Sequence, residues 1–377
     1  MARLVALVVA TLLLAKPVIA DSWSDLERCK FVGELAKADK NIEACDRAIA
    51  DPKISPRSRV AALSNRCGWW WTKHQPQRAL SDCNEAIRLD PAYAVAYLNR
   101  GNAYMNDGDF ERALEDLNEA IRIDPQNAWA YTSRGDLYKR KRDFDHALGD
   151  FNKATQLEPN YALAFFERGL LQKARGDFDQ ALLDFNVSVR LDDGYAPAYF
   201  NRGLVYYIMG NNLRAIDDFT RSVTMDPKDA SAYFNRGVAL FLIGNRAADA
   251  AADFKKANEL IPKNAYFVLW LDIAERRTGS PRQLRRTAAQ VDSTVWPGPL
   301  LRQFLGELTY SQTLAPDGTD PTTSDGKFCE ANFYSGELML ANGEKQEAFR
   351  LLRLAAKDCP QSFIEGSAAI VELIVQR

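Results

Sequence analysis

A chain of 377 residues, 47% hydrophobic and 26% charged, has the balance of folded globular material and is too long for one compact core unless it is assembled from repeats. Its formal net charge of −2 gives no electrostatic footprint for nucleic acid and no basic face for an anionic membrane. Six cysteines, an even number, suit a disulfide framework in an exported chain.

The chain opens MARLVALVVATLLLAKPVIADSW: a basic residue, an apolar run from Leu4 to Ala15, and small residues up to Ala20. Residues 1–20 are read as a secretory signal peptide cleaved after Ala20. The apolar run is shorter than the roughly 20 residues that span a hydrocarbon core, and no later stretch is long enough, so stable membrane insertion is not expected. The first cysteine is Cys29, not the residue after the cleavage point, which argues against a lipid anchor. The expectation is a soluble protein of an oxidising envelope space, the periplasm of a Gram-negative cell.

Residues 21–59 read as a diverged copy of the unit that repeats after them, with Cys29, Cys45 and Ala48 at places eight, twenty-four and twenty-seven of a 34-residue frame. That frame is set by residues 60–263. Arg66, Arg100, Arg134, Arg168, Arg202 and Arg236 recur every 34 residues, clearest in the YFNRG of 199–203. Place eleven holds Trp70, Tyr104, Tyr138, Gln172, Tyr206 and Leu240; place twenty holds Ala79, Ala113, Ala147, Ala181 and Ala215; place twenty-four holds Cys83, Leu117, Phe151, Phe185 and Phe219. Pro91, Pro125, Pro159 and Pro227 close four frames, and the sixth frame slips by one residue inside GNRAADAAADF. Small residues let paired helices approach, aromatics fill the gap to the next pair, and proline ends the second helix.

This pattern resembles the tetratricopeptide repeat, a helix-turn-helix unit. The resemblance implies an all-α solenoid, a right-handed superhelix of antiparallel helix pairs, with six repeats over 60–263 and a helical C-terminal extension. Residues 264–327 then lose the pattern, with helices around NAYFVLWLDIAERRTG, PRQLRRTAAQV and PLLRQFLGEL and a mobile loop at 315–326, APDGTDPTTSDG. Residues 328–377 read as a last repeat-like hairpin, carrying Tyr334, Gly336, Ala348, Leu352, Ala355 and Pro360, and a capping helix from about Phe363 to Val375.

An arginine at the centre of a packed helix needs a partner, because an unpaired guanidinium is too costly to bury. One residue before place twenty-four, every frame has an aspartate: Asp82, Asp116, Asp150, Asp184, Asp218 and Asp253. The expectation is a ladder of structural Arg–Asp pairs, within a repeat or to its neighbour. The cysteines fall into the same frame, Cys29 with Cys45 and Cys67 with Cys83 at places eight and twenty-four, and Cys329 with Cys359 at the ends of the last hairpin. Three local disulfides in that order are expected, with Cys45–Cys67 across neighbouring repeats as the competing pairing.

Chemistry is harder to find. His74 falls in an inter-helix turn and His146 beside Ala147, neither in a zinc-binding spacing, and no phosphate-cradling glycine loop or nucleophile elbow occurs. A non-enzymatic binding protein with no cofactor and no metal is expected. The tetratricopeptide resemblance implies a concave groove lined by places two, five, six, nine and twelve of the first helix. Those places bring Asn99, Asn102, Asp136, Lys139 and Lys173 early in the array and Phe166, Leu170, Phe200, Leu204, Tyr207, Phe234, Val238 and Phe241 later, with Asn201 and Asn235 at place six. An apolar stripe of this kind is either a peptide groove, with the asparagines bonding an extended partner backbone, or a surface filled by the chain's own 264–310 helices or a second subunit. In the triple Trp69-Trp70-Trp71, Trp70 is the place-eleven aromatic, and the other two pack on the first hairpin or meet a partner.

The C-terminal third is similar to the NlpI-type periplasmic tetratricopeptide proteins, through FVLWLDIAE, the Trp296-Pro297 turn, FLGELT, ANFYSGELMLANGE and SFIE. That resemblance implies an adaptor, often a dimer, that docks envelope proteases and cell-wall hydrolases. The alternative is a structural scaffold for an envelope or secretion assembly.

Overall fold

The computed structural model describes residues 18–30, 37–314, 326–360 and 363–375. The expected signal peptide falls outside these except where the helix Val18–Cys29 begins, and the expected loop falls outside them except for Gly326. Among the described residues there are twenty-one helices and no strand, arranged as the repeated helix pairs of a tetratricopeptide solenoid. No described helix is long and apolar enough to cross a membrane. The chain divides into two compact units, Met1–Leu171 and Gln172–Arg377.

In the N-terminal unit, the pairs are Val18–Cys29 with Ala38–Ala50, Pro56–Thr72 with Pro76–Leu89, Ala94–Asp107 with Phe110–Ile123, and Ala128–Arg140 with Phe144–Leu157. The second, third and fourth pairs turn sharply because place fifteen takes a left-handed backbone, at His74 (φ 55°), Gly108 (φ 84°) and Arg142 (φ 61°). Asp109 and Asp143 then cap the second helix by accepting from the backbone N–H of Arg112 and His146. Place eight explains the close approach within a pair: a Cβ on Gly135 would stand 2.7 Å from the ring of Phe151. Where glycine gives way to cysteine, the same two places are bonded covalently, Cys29 to Cys45 and Cys67 to Cys83. Trp69 is fully buried among Cys29, Cys45 and Ala62, and its Nε1–H donates to the Cys29 carbonyl at 3.2 Å.

In the C-terminal unit, Ala196–Ile208 pairs with Asn212–Met225 and Ala230–Leu242 with Ala247–Leu260, followed by Ala265–Thr278 and three short helices, Leu284–Ala288, Gly298–Phe304 and Tyr310–Leu314. The hairpin of Lys327–Asn342 and Lys345–Asp358 carries the Cys329–Cys359 disulfide, and Ile364–Val375 packs against both its helices. Trp270, fully buried, is the hub of this end: the rings of Phe241, Phe254 and Phe333 surround it at 5.3–5.6 Å. The one-residue slip of the sixth frame is absorbed at the turn, where the second helix starts at Ala247 behind Arg246 instead of an aspartate or asparagine cap.

Candidate partner-binding faces

The central arginines do two jobs at once. In the N-terminal unit, Arg66, Arg100 and Arg134 each grip the aspartate of their own hairpin, Asp82, Asp116 and Asp150, through Nε and Nη2 at 2.6–2.8 Å. The remaining Nη1 reaches back to the second helix of the preceding pair: to Asp46, Asn84 and Asn118 respectively, and from Arg168 to Asn152. In the C-terminal unit, Arg202 and Arg236 hold Asp218 and Asp253 in the same two-point way, with Nη1 on Asn186 and Thr220. An aromatic ring three residues earlier lies under each guanidinium from Arg100 onward: Tyr97, Tyr131, Phe165, Tyr199 and Tyr233. The reach to the preceding pair depends on a polar residue at place twenty-five, and that recurrence of Asn84, Asn118, Asn152 and Asn186 was the available signal for it. Burial lifts the Asp218 and Asp253 carboxyls above the usual carboxylate range even with arginine pulling the other way. These arginines tie each hairpin together and link it to the one before.

The groove places separate once the packing is known. Asn99 is 3% exposed and donates to the Ser64 carbonyl at 2.8 Å, so it joins two helix pairs and cannot serve a partner's backbone. Phe166 is buried as well. Place number alone puts both in the groove, whereas the packing of their side chains puts them inside. What the N-terminal unit does present on this face is ionic: Lys139 bonds Asp136 at 2.8 Å and also Glu167, and Arg140 bonds Asp136 at 2.9 Å. Burial works against the Lys139 ammonium, but Glu167 and Asp136 outweigh it and raise its hold on the proton; burial also raises Glu167. Trp129, 43% exposed, stacks on Tyr161 at 5.0 Å.

In the C-terminal unit, Phe200, Asn201, Leu204 and Asn235 are half-buried, with surface left over for contact. Phe200 leans on Phe219 at 5.8 Å, Asn201 accepts from Lys173 Nζ at 2.5 Å, and Asn235 donates to the Ser231 carbonyl at 2.8 Å. With no carboxylate beside it, burial lowers Lys173 from the ordinary lysine value. Further along, the chain's own helices take the stripe. Phe241 is buried beneath Arg277, whose guanidinium sits 4.0 Å from the ring centroid, and beside Trp270. Phe234 lies 4.8 Å from Phe267, and Tyr207 packs against the C-terminal cluster with its hydroxyl near Glu365. Phe241 therefore belongs to the interior and not to a groove, while Phe234 sits at the border. Among the described residues, no group of three or more His, Cys, Asp or Glu side chains is placed to hold a metal ion.

The TPR repeat family matches residues 101–142, and two further tetratricopeptide repeat families match 83–115 and, in two copies, 132–196 and 200–265. The chain resembles the structure of pilF from Pseudomonas aeruginosa with a TM-score of 0.52 at 17% identity, over 56% of this chain and 96% of that one. PilW, a type IV pilus biogenesis factor, aligns at a TM-score of 0.49 and 18% identity over 55% and 96%. MamA aligns at 0.40 and 26% over 46% and 94%.

Proposed function

We propose, taking as premise that residues 83–196 and 200–265 are tetratricopeptide repeats, that this chain is a non-enzymatic adaptor that holds a polypeptide partner on the repeat face. The observation that carries the reading is the half-buried row of the C-terminal unit, in which Phe200 and Leu204 offer apolar area, and Asn201 and Asn235, at a 34-residue stride, keep part of their surface exposed while each donates one N–H to its own helix, to the Pro197 and Ser231 carbonyls. A partner in extended form repeats its backbone groups, and a row of amides beside apolar pockets is suited to it. The disulfide bonds suit an oxidising compartment, so we place the adaptor in the bacterial envelope, where it presents clients to a protease or a peptidoglycan hydrolase.

Crosslinking in the native envelope, read by mass spectrometry, tests this with two variants. Phe200→Glu places a charge in the apolar row and is expected to abolish the crosslinks while leaving the melting temperature unchanged. Leu183→Glu, at a side chain already 59% exposed, is expected to leave them intact. Equal crosslinking by both variants would overturn the assignment of this face.

A further inference from the structure

Beyond the half-buried row, Phe234 leads into an open cleft lined also by Tyr266, Phe267, Glu330 and Glu365. Its two carboxylates are 7% and 4% exposed. Among the described residues, their side-chain hydrogen bond donors are neutral: Glu330 accepts from the Tyr266 hydroxyl at 3.0 Å and from Trp296 Nε1 at 2.7 Å, and Glu365 accepts from the Tyr334 hydroxyl at 2.9 Å. Among the described residues, no lysine or arginine acts electrostatically on either carboxylate, and each is raised by burial, Glu365 to about 7 with Glu330 adding to it. Lys327 stands over the Trp296 ring, 5.9 Å from its centroid, and pairs with neither. Several buried carboxylates elsewhere in this unit have an arginine, as Asp218 has Arg202, Asp253 has Arg236 and Asp272 has Arg276 and Arg282, while Glu275 is held instead by the backbone and side-chain N–H groups of Gln283.

We propose that this cleft receives a lysine or arginine side chain of the polypeptide partner, which supplies the cation that the fold withholds. The inference rests on the adaptor reading and names the partner's chemistry: an extended segment with apolar residues on the row at Phe200 and a basic residue that enters past Phe234. Aromatic walls accommodate the methylene stem and attract the charge, and the carboxylates meet its end. A bare metal ion fits less well, because among the described residues the two carboxylates have no third His, Cys, Asp or Glu placed with them to hold one and aromatic rings form much of the wall. Until a cation arrives, burial disfavours charge on both acids.

A phage-displayed peptide library selected on the full chain, followed by calorimetry of resynthesised peptides, tests the cleft. The expected outcome is enrichment of lysine or arginine at one fixed place beside apolar residues, with about a tenfold loss of affinity, or about 1.4 kcal/mol, when the selected arginine is replaced by neutral citrulline. Glu365→Gln keeps the acceptor for Tyr334 and is expected to bind the arginine peptide no better than the citrulline one; Glu330→Gln serves in the same way should the first variant melt early. Citrulline and arginine peptides bound equally by the unaltered chain would overturn the cleft and leave the adaptor reading standing. A library that yields no binder would overturn both.

Discussion

Asp150 and Asn118 both bond Arg134, yet they do different work. Asp150 is the charge that compensates a guanidinium only 20% exposed, while Asn118 adds a neutral bond to the preceding pair. Removing the partner of a sheltered ion leaves that ion uncompensated, so Asp150→Ala is expected to cost about 3 kcal/mol in a denaturant melt, against about 0.5–1.5 for Asn118→Ala. Equal losses would mean that the pair is solvated. The aspartate was legible from its 34-residue recurrence; the way one guanidinium serves two helix pairs was not, because spacing carries no direction for a side chain. Place fifteen is similar. Gly108, Gly176, Gly210 and Gly244 recur there with φ between 76° and 84°, and Arg142 takes the same left-handed backbone at φ 61°. A side chain costs energy in that region, so Arg142→Gly is expected to raise stability by about 0.5–1 kcal/mol in spite of the added freedom of the unfolded chain. A lower melting temperature would show that Arg142 has a compensating contact.

At the scale of the helix pair, the contact between places eight and twenty-four appears in two chemistries. It is Gly101 against Leu117 in one hairpin and a disulfide between Cys67 and Cys83 in the one before. A bond closing a loop of 16 residues adds about 3 kcal/mol through the unfolded chain in the entropy model. Cys67→Ala with Cys83→Ala should lose about that much, whereas Cys67→Gly with Cys83→Leu, which restores the neighbouring hairpin's packing, should lose less; thermal melts of the two double variants decide. The C-terminal hairpin poses the opposite problem. Glu337 and Glu372, 5% and 0% exposed, share Arg277, and each retains an oxygen without a hydrogen bond partner. Burial, and then Glu372, push Glu337 up to about 8. A carboxyl whose folded value is raised contributes stability that is fully present below its unfolded value near 4.5 and is lost as pH rises through about 8. Melts at pH 5.5 and 8.5 should therefore show the unaltered chain weaker at the higher pH, and Glu337→Gln, whose amide is neutral at both, should narrow that difference. None of these acids could be singled out from the sequence, since helices with scattered glutamates ordinarily expose them and no repeat marks the exceptions.

For the whole molecule, the legible part is the part that repeats. A stride of 34 exposes every slot six times, so the helix pairs, their turns and their ion pairs emerge from one sequence, whereas the packing around Trp270 and the cleft beside Glu365 occur once and leave no statistical trace. Asn99, Phe166 and Phe241 show the limit of slot reading: a place number locates a residue on a helix but does not say whether the next helix covers it. The same architecture governs how damage spreads. A repeat touches chiefly its neighbours, so stability is close to a sum of local terms and a defect should stay local. Asp116→Ala removes the carboxylate that Arg100 holds by two hydrogen bonds. Hydrogen exchange followed by mass spectrometry is expected to show faster exchange over roughly 94–157, the altered pair and the next, with protection around Trp270 unchanged. Uniform acceleration along the chain would mean that the array unfolds as one cooperative body, and a partner held on the face at Phe200 would then stabilise every repeat at once instead of those beneath it.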